Sequence, residues 1–547
     1  MMISHRIRRI FSTTPLFSCH LSQASGQQLS WKQSSRTLEG INPVEGTGLF
    51  LPSSNGQFDT SAWKIVDSRS FGIEVKSVSH TALMILKTLQ KKGFVAYLVG
   101  GCVRDLLLKR TPKDFDVITT ASLKQIKMCF RRCNIIGSRF PICLVHISGN
   151  VIEVSSFNTT ARNRNKCEAI ILPEMPNDGN VNDFECWKNC MKRDFTINSL
   201  FFDPFKCKIY DYVGGIQDLR ALKVRTIIPP HSSFKEDCAR ILRGVRVAAR
   251  LGLRFSRETV AAIQYHSSSI LTLNKPRLMM EMNFIMAYGA AASSIHLLRK
   301  FKLLELLLPA HAAYLSSQFS KPSPERSIML IKLLVNADKL LKADRPCSCT
   351  LWLGLLAFHL ALVNYPQDAR VIWTFASILF HGKWNKAAKE SSSTLIHFVP
   401  ETLPPSQAKS VEVLLEETSH LISLLQSSVK SLTNSEALQE SLAKYGSILP
   451  SQGLVFVSNS AGRRVCELFD VMNDCTNPHF EEEESSCMVN ERKRSGINYK
   501  LLKEGDTCET RYVLGKIIID TMRADDPSYE QDKMAKSKHL LLSSMFR

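Results

Sequence analysis

The chain of 547 residues is long enough for about three or four domain-sized units, and its 70 Lys and Arg against 50 Asp and Glu leave a formal net charge of +20. Hydrophobic residues make up 44% and charged residues 22%, which is typical of a globular protein and excludes a wholly disordered or collagen-like one. The most apolar run, 351–363, is shorter than the roughly 20 residues of a membrane span, so we predict no membrane span. The positive charge favours a polyanionic partner such as nucleic acid, although a solvated basic surface would carry the same charge.

The N-terminal 38 residues contain no Asp or Glu, several arginines and many serines, and their isoleucines recur at helical spacing. This composition is typical of an organellar transit peptide, whereas a secretory signal would need a continuous apolar core. We therefore expect residues 1–38 to direct the protein to a mitochondrion or a chloroplast, with a permanent basic arm as the alternative. Residues 39–80, rich in Gly, Ser and Asn, are predicted to be a linker.

Periodic structure begins near Thr81 and mixes helices with strands. The pattern predicts, in chain order, a helix at 81–92, a strand at 96–99, a helix at 102–108, a strand at 115–118, a helix at 123–131, and strands at 142–147 and 151–157. The last two strands are joined by Ser148-Gly149-Asn150, which indicates a hairpin. We predict that residues 81–225 form a small mixed-sheet head in an α+β protein.

Helical patterns dominate from Glu236 to about residue 445, so the rest of the chain is predicted to be all-helical. The predicted segments are a helical neck at 226–310, a helical body at 311–475, a disordered insertion at 476–498 and a C-terminal helical tail at 499–547. The insertion contains the acidic run EEEESS, and the tail is predicted to contain a last helix at 512–522.

The segment LVGGCVRDLLLKRTPKDFDV combines the features of a phosphate and metal site. Gly100 and Gly101 follow a strand and open a helix, where glycine lets a ligand approach the backbone and helix N–H groups can bind phosphate. Asp114 and Asp116 are two residues apart, so on a strand both carboxylates would lie on one face. Two such charges favour a bound cation, and oxygen ligands suit Mg²⁺, which also binds substrate phosphates. Glu153, on the neighbouring predicted strand, is a candidate third carboxylate; a solvated strand end is the alternative for the Asp pair.

This segment resembles the nucleotidyltransferase head of the class II tRNA nucleotidyltransferases (CCA-adding enzymes) and the bacterial-type poly(A) polymerases. Three further segments resemble that family in the same order, namely KRDFTINSL at 192–200, DYVGG at 211–215 and EDCARILRGVRVAARLGL at 236–253. The resemblance covers residues 81–265, about a third of the chain, and suggests a plant-organelle-like member. It implies transfer of a nucleotide to an RNA 3′ end, with two Mg²⁺ ions held by Asp114 and Asp116.

The resemblance also places four residues of the head in the nucleotide site. Arg104 would reach phosphate, and Arg193 would bind phosphate or ribose through its planar guanidinium group. Asp194 and Asn198 are four residues apart, so on a helix they would share one face. An ordinary helix N-terminus with an acidic cap is the alternative for this motif. Asp105 is expected to be structural and to hold the loop in place.

Four arginines, Arg240, Arg243, Arg246 and Arg250, recur every three or four residues in the neck segment and would form a basic stripe on one helix face. We expect the stripe to bind triphosphate, with a solvated arginine face as the alternative.

The family uses the Asp and Arg of its E-D-x-x-R element to read the incoming base, and these positions match Asp237 and Arg240. Paired hydrogen bonds to a base edge discriminate strongly, because a wrong base leaves buried polar groups without partners. Cys238 stands where proline is common in the family, which leaves the geometry of this turn open.

The stretch before Glu153 bears on which nucleotide is added. Residues 135–147 read IIGSRFPICLVHI and 152–154 read IEV, which resembles the I-I-G-R-R-F…H-V…I-E-V signature of bacterial-type poly(A) polymerases, with Ser138 replacing a basic residue. We therefore predict a template-independent enzyme that adds AMP from ATP to the 3′ end of an mRNA-like RNA or a tRNA, by two-metal catalysis. The alternatives are a CCA-adding enzyme, which would also use CTP, and an inactive RNA-binding homologue, against which the intact Asp pair argues.

Overall fold

The computed structural model describes residues 63–137, 141–157, 180–319, 328–382, 401–404, 409–445, 455–471 and 496–523, and the single residues Thr60, Thr159, Trp384 and Ala387. The predicted transit peptide 1–38, most of the predicted linker and most of the predicted insertion 476–498 lie outside these residues. The described residues form a mixed-sheet head followed by an almost entirely helical part, so the α+β prediction is confirmed.

The head is built on an eight-stranded sheet with the strand order β1-β8-β7-β2-β3-β6-β5-β4. Neighbouring strands are antiparallel except β3 and β6, which are parallel. The strands are β1 (Lys64–Asp67), β2 (Ala96–Val99), β3 (Val117–Thr119), β4 (Cys133–Ile136), β5 (Ile142–Ile147), β6 (Asn150–Ser156), β7 (Phe201–Asp203) and β8 (Lys208–Asp211).

Both faces of the sheet are covered, because alternate residues of its central strands enter different hydrophobic clusters. Leu98 and Val117 belong to one cluster, whereas Tyr97, Val99 and Ile118 belong to another on the opposite face. The helices of the head are α1 (His80–Lys91), α2 (Gly101–Leu107), α3 (Leu123–Cys129), α4 (Val181–Met191) and α5 (Gly215–Arg220).

The predicted hairpin is confirmed. β5 and β6 pair antiparallel with Ile147 opposite Asn150, and Ser148 and Gly149 in the turn have φ values of 49° and 79°. Two successive positive φ values define the turn whose twist matches that of the flanking strands. This register places Leu144 opposite Glu153.

The predicted linker 39–80 extends too far, because residues 64–80 are part of the head. The edge strand β1 pairs with β8, Ser68 Oγ donates a hydrogen bond to the Ile73 carbonyl oxygen at 2.8 Å, and Ile73 and Val78 are buried in the core. The pattern hides this strand, since three of its four residues are exposed and none shows the alternation of a half-buried strand.

The helical part shares one hydrophobic core that runs from Phe234 to Met522, so the predicted neck, body and tail are packed together. Its helices are α6 (Pro230–Glu236), α7 (Ala239–Leu251), α8 (Arg257–Tyr265), α9 (Lys275–Met286), α10 (Ala291–Lys300), α11 (Leu304–Leu307), α12 (Pro309–Phe319), α13 (Met329–Leu340), α14 (Cys349–Asn364), α15 (Ala369–His381), α16 (Val411–Thr433), α17 (Ser435–Ala443), α18 (Asn459–Phe469), α19 (Tyr499–Glu504) and α20 (Thr507–Met522). Two short strand pairs join β9 (Lys223–Val224) to β10 (Arg254–Phe255) and β11 (Gln367–Asp368) to β12 (Thr402–Leu403).

The last helix, α20, is an integral part of this core. At Gly515 a Cβ atom would come within 2.6 Å of the Ala376 carbonyl oxygen, so only glycine permits such close packing of α20 on α15. The apolar run 351–363 lies in α14, which is buried almost throughout. Within the described part of the chain, every helix is too short or too polar to span a membrane.

Candidate active site

The loop between β2 and α2 turns at Gly100, which has a φ of +82°. A side chain is strained in this conformation, and a Cβ at Gly100 would also lie 3.2 Å from Arg193 Nη1. The Gly100 N–H donates to the Leu200 carbonyl oxygen at 3.1 Å. At Gly101 the nearest atom to a Cβ would be Arg104 Nη2 at 3.6 Å, an ordinary contact. Gly100 therefore brings the start of α2 against the KRDFTINSL segment.

The two aspartates do not lie on a strand, which corrects the predicted strand at 115–118. β3 begins at Val117, and Asp116 extends its pairing only through its carbonyl oxygen, which accepts from the Val99 N–H at 3.0 Å. The partner strand β2 ends at Val99 because the chain turns at Gly100, so Asp114 has no strand to pair with. The pair lies in the loop that leads into β3.

The three carboxylates of the predicted site influence one another electrostatically. Burial and the negative charge of Glu153 raise the pKa of Asp116 to about 6, although Arg193 opposes the shift. Burial and Asp114 raise the pKa of Glu153. Asp114 is largely exposed, and its Oδ2 lies 3.0 Å from Lys113 Nζ. Asp114, Asp116 and Glu153 are thus brought together with more negative than positive charge around them.

This arrangement fits a cation that is shared with a substrate. Among the residues that the structure describes, no group of three His, Cys, Asp or Glu side chains could hold a metal ion by itself. A magnesium ion is commonly bound by one or two carboxylates together with water and substrate phosphates, so a pair of aspartates is sufficient.

Arg104 is buried and bonded to the protein on every side. Its Nε and Nη2 donate to Asp105 Oδ1 at 2.9 and 2.7 Å, and its Nη1 donates to Asn198 Oδ1 at 2.6 Å. Asp105 Oδ2 lies 3.5 Å from Arg250 Nη2 in α7. Arg104 and Asp105 therefore connect α2 to the KRDFTINSL segment and to the neck, and Arg104 orients Asn198.

Asp194 and Asn198 are neighbours, but not on the helix face that their spacing predicted. Asp194 precedes a short 3-10 helix, Thr196–Asn198, and its Oδ1 accepts from Asn198 Nδ2 at 3.1 Å and from the Phe195 N–H at 2.8 Å. Its Oδ2 accepts from Arg243 Nη1 at 3.0 Å. Burial alone would raise the pKa of Asp194, but Arg243 and these hydrogen bonds hold it below its usual value. Asp194 is consequently an ionised, buried carboxylate.

Arg193 makes its hydrogen bonds to Asn189 and Asn198. Its Nε donates to Asn189 Oδ1 at 2.8 Å and its Nη1 to the Asn198 carbonyl oxygen at 3.2 Å. Its charge is close enough to oppose the raised pKa of Asp116. Arg193 therefore lies between the carboxylates and the Asp194–Asn198 pair.

The turn DYVGG packs against the 3-10 helix. Asp211 is buried, and its two oxygens accept from the N–H groups of residues 213–216 at 2.8 to 3.2 Å. At Gly215 a Cβ would lie 2.4 Å from the Thr196 carbonyl oxygen. The turn can contact Thr196 so closely only because residue 215 is glycine.

The arginine stripe of α7 faces the head and α9. Arg243 binds Asp194 and lies 3.7 Å from Glu281, and Arg246 lies 4.8 Å from the centre of the Phe284 ring. Burial would lower the pKa of Arg243, but Asp194 and Glu281 raise it, whereas burial lowers the pKa of Arg246. The solvated face considered above is therefore not what the structure shows.

The side chains of the proposed base-reading pair, Asp237 and Arg240, bind different partners. Arg240 is 5% exposed, and its Nη1 donates to Ser233 Oγ at 3.0 Å and to Glu236 Oε2 at 2.8 Å. The Asp237 carboxylate instead accepts hydrogen bonds from Arg277 Nη2, at 2.9 Å to Oδ1 and 2.8 Å to Oδ2. Arg277 is 40 residues from Asp237 in the chain and belongs to none of the motifs, so the sequence pattern did not indicate this contact.

The neck motif is two helices with a turn at Asp237, whose φ and ψ are −149° and 96°. Cys238 follows with a φ of −64°, close to the value at which the proline ring locks this angle. A cysteine at this position therefore keeps the backbone conformation that a proline would have.

Comparisons with known proteins agree with this architecture. Residues 96–225 match the family described as poly A polymerase head domain, and residues 252–315 match a probable RNA and SrmB-binding site of polymerase A. Poly(A) polymerase I of Haemophilus influenzae is 33% identical over 279 residues, which cover 50% of this chain and 61% of that protein. Poly(A) polymerase I of Salmonella typhi is 34% identical over 291 residues, covering 51% and 60%. The CCA-adding enzyme of Staphylococcus epidermidis is 26% identical over 328 residues, covering 59% and 70%.

The chain thus spans about three fifths of the length of the poly(A) polymerases that it matches. Among solved structures, a Bacillus stearothermophilus CCA-adding enzyme in complex with CTP is similar at 19% identity and a TM-score of 0.38, over 72% of this chain and 92% of that one. The head and the segment that follows it are thus similar to the corresponding parts of polymerase A, and the chain is similar in sequence to bacterial poly(A) polymerases and to CCA-adding enzymes.

Proposed function

We propose that the protein is a template-independent RNA nucleotidyltransferase that adds AMP from ATP to RNA 3′ ends. The observation that carries the proposal is the group of Asp114, Asp116 and Glu153, in which burial and the negative charge of Glu153 raise the pKa of Asp116 to about 6. Carboxylates brought together in this way favour a bound cation, and an exposed Asp114 leaves one side of the site open to substrate.

In the reaction, the 3′ oxygen of the RNA forms a bond to the α-phosphorus of ATP while the bond to the pyrophosphate oxygen breaks. Asp114 and Asp116 would hold Mg²⁺, which when bound lowers the pKa of the 3′ hydroxyl and neutralises the triphosphate. The raised pKa of Glu153 suits this residue to take up the hydroxyl proton. Pyrophosphate leaves, and the RNA is one nucleotide longer.

The arginines around the carboxylates would bind the triphosphate. Arg193 lies on the carboxylate side of the site, and Arg243 and Arg246 line it from α7. Asp194 holds Arg243 in place through an ion pair, with Arg243 Nη1 at 3.0 Å from Asp194 Oδ2. Asp237 would read the base edge, with Arg277 orienting its carboxylate.

CCA addition is the second candidate, because the match to the Staphylococcus epidermidis CCA-adding enzyme extends over 70% of that protein. The identity to the poly(A) polymerases is higher, at 33% and 34% against 26%, and favours AMP addition. The signature residues 138–140 lie outside the described residues.

Two RNAs offered to the purified protein distinguish the two activities. We expect an unstructured RNA to gain a long tail from ATP alone and a tRNA without its CCA end to gain no cytidines. Incorporation of CTP followed by a single AMP, ending at CCA, would overturn the assignment to AMP addition. No incorporation of either nucleotide would favour an inactive RNA-binding homologue.

We further propose a mitochondrial or chloroplast location, which is supported by the composition of residues 1–38. A fluorescent protein fused behind residues 1–38 is expected to enter one of these organelles. The matched control carries Glu at the positions of Arg6, Arg8 and Arg9 and should stay in the cytosol. Cytosolic fluorescence of the unmodified fusion would refute the proposal.

A further inference from the structure

Two aromatic rings beside the carboxylate loop have no role in the mechanism above. Phe284 lies on α9 and Tyr288 follows the end of that helix, and both are half-buried. Their ring centres are 5.3 Å apart with the planes tilted by 50°. The two rings thus form one adjoining pair at the boundary between head and neck.

Two cations from different elements lie on these rings. Lys113 Nζ is 5.0 Å from the centre of the Tyr288 ring and 6.0 Å from that of Phe284, and Arg246 Cζ is 4.8 Å from the centre of Phe284. Lys113 comes from the loop of the head and Arg246 from α7. The pair therefore combines partly exposed aromatic surface with positive charge, which is the composition of single-stranded RNA sites.

Lys113 also places the ring pair next to the carboxylates. Because Lys113 Nζ lies 3.0 Å from Asp114 Oδ2 and 5.0 Å from the centre of the Tyr288 ring, that oxygen and ring are within about 8 Å of each other. The RNA 3′ hydroxyl must reach the carboxylates to react. The base of the same nucleotide must then lie within one nucleotide's length of the carboxylates. The two rings lie within that distance.

We infer that Phe284 and Tyr288 form a stacking subsite for the 3′-terminal base of the RNA, with Lys113 binding its backbone phosphate. The inference rests on the proposed function and specifies which part of the RNA the rings hold. Both rings lie within residues 252–315, the segment that matches a probable RNA-binding site. Lys113 keeps 30% of its side chain exposed. Because the stem of a lysine side chain has several rotatable bonds, its ammonium group can leave the ring face and bind a phosphate.

A purely structural role is the competing explanation, since cations on rings also stabilise contacts between elements. The two roles predict different responses to the RNA itself. A stacking subsite distinguishes an RNA whose terminal nucleotide has a base from one whose terminal nucleotide is abasic. A structural contact affects both RNAs equally.

The test compares these two RNAs on the full-length wild type and on the variants Phe284→Leu and Tyr288→Leu. For the wild type we expect an abasic 3′ nucleotide to raise the KM for RNA about tenfold, as loss of one stacked base does. In the leucine variants the KM for normal RNA should rise about tenfold, and the abasic end should then have little further effect. The KM for ATP should stay within about twofold, and Tyr288→Phe should retain wild-type behaviour.

Tyr265→Leu is the matched control, because Tyr265 is a 75% exposed ring in the same RNA-binding segment but has no place in the subsite. It should leave the sensitivity to the abasic end unchanged. Equal KM values of the wild type for the two RNAs would overturn the inference without any variant. A leucine variant that stays fully sensitive to the abasic end, or that changes only the KM for ATP, would also overturn it.

The failure of the proposed function gives a different result. Binding is measured separately by fluorescence anisotropy with Asp114→Ala, a full-length variant that should bind RNA without extending it. If the wild type extends no RNA but this variant prefers the end with a base, the activity is refuted and the subsite stands. If it shows no preference, the subsite is refuted.

Discussion

Replacing Arg243 with alanine should destabilise the head, because the change leaves Asp194 as a buried charge without its cation. Asp194 is 8% exposed, and Arg243 Nη1 is bonded to its Oδ2 at 3.0 Å. Removing one partner of a buried ion pair costs about 3–5 kcal/mol. Asp194 keeps the hydrogen bonds from Asn198 and from the Phe195 N–H, so we expect the lower end, about 3 kcal/mol.

Thermal unfolding followed by circular dichroism measures this effect. A loss of about 3 kcal/mol corresponds to a decrease in Tm of about 6–12 °C for a unit of 150–250 residues. The double variant Asp194→Asn/Arg243→Ala should recover much of the loss, because no charge is then buried. Arg257→Ala, which removes an exposed arginine from α8, serves as the control and should change stability by less than about 0.5 kcal/mol.

The pH dependence of stability tests the same ion pair independently. In the wild type the pKa of Asp194 is below its usual value. Its contribution to stability is therefore fully present above the pKa of the unfolded state, about 3.9, and is lost as the pH falls through the pKa of the folded state. In Arg243→Ala burial should raise that pKa instead, so that the variant is relieved by protonation as pH falls. The difference in stability between the wild type and Arg243→Ala should therefore become smaller as the pH falls from neutral to about pH 4. A constant difference, or a double variant no more stable than Arg243→Ala, would refute the reasoning.

Three further perturbations give separate tests of the site and of the body. Asp114→Ala and Asp116→Ala should each abolish nucleotide incorporation with an unchanged Tm, and wild-type extension by the double variant would disprove their catalytic role. Gly215→Ala should lower the Tm and the activity because its Cβ would lie 2.4 Å from a carbonyl oxygen, whereas Gly101→Ala should leave the Tm unchanged; equal Tm values of the two variants would contradict this. Burial in the helical core lowers the pKa of His359 well below its usual value, so stability should be lost as pH falls from about 6.5, and His359→Leu should flatten that loss; an unchanged pH profile would count against it.

The local elements of the head followed from the sequence because each has a short-range cause. Strand 96–99 and the hairpin of β5 and β6 were predicted, since an apolar run ending in Gly-Gly and a Ser-Gly-Asn turn determine their own geometry. β1 was missed, because its only reason to be a strand is its partner β8, more than 140 residues further along the chain. The structure defines the positions of the site residues. Their roles remain predictions that the substitutions above test.

The order of the motifs, the α+β class and the acidic pair behind a glycine turn could be predicted from the sequence alone, because these features depend on residues close together in the chain. The assembly of the site depends on how distant segments pack. Arg104 reaches Asn198, 94 residues away, and Arg277 rather than Arg240 binds the carboxylate of Asp237. Hydrogen bonds of this kind depend on which elements pack together, and a spacing of three or four residues describes only neighbours within one helix. The chemical groups of the site are therefore visible in the sequence, but their partners exist only in the folded protein.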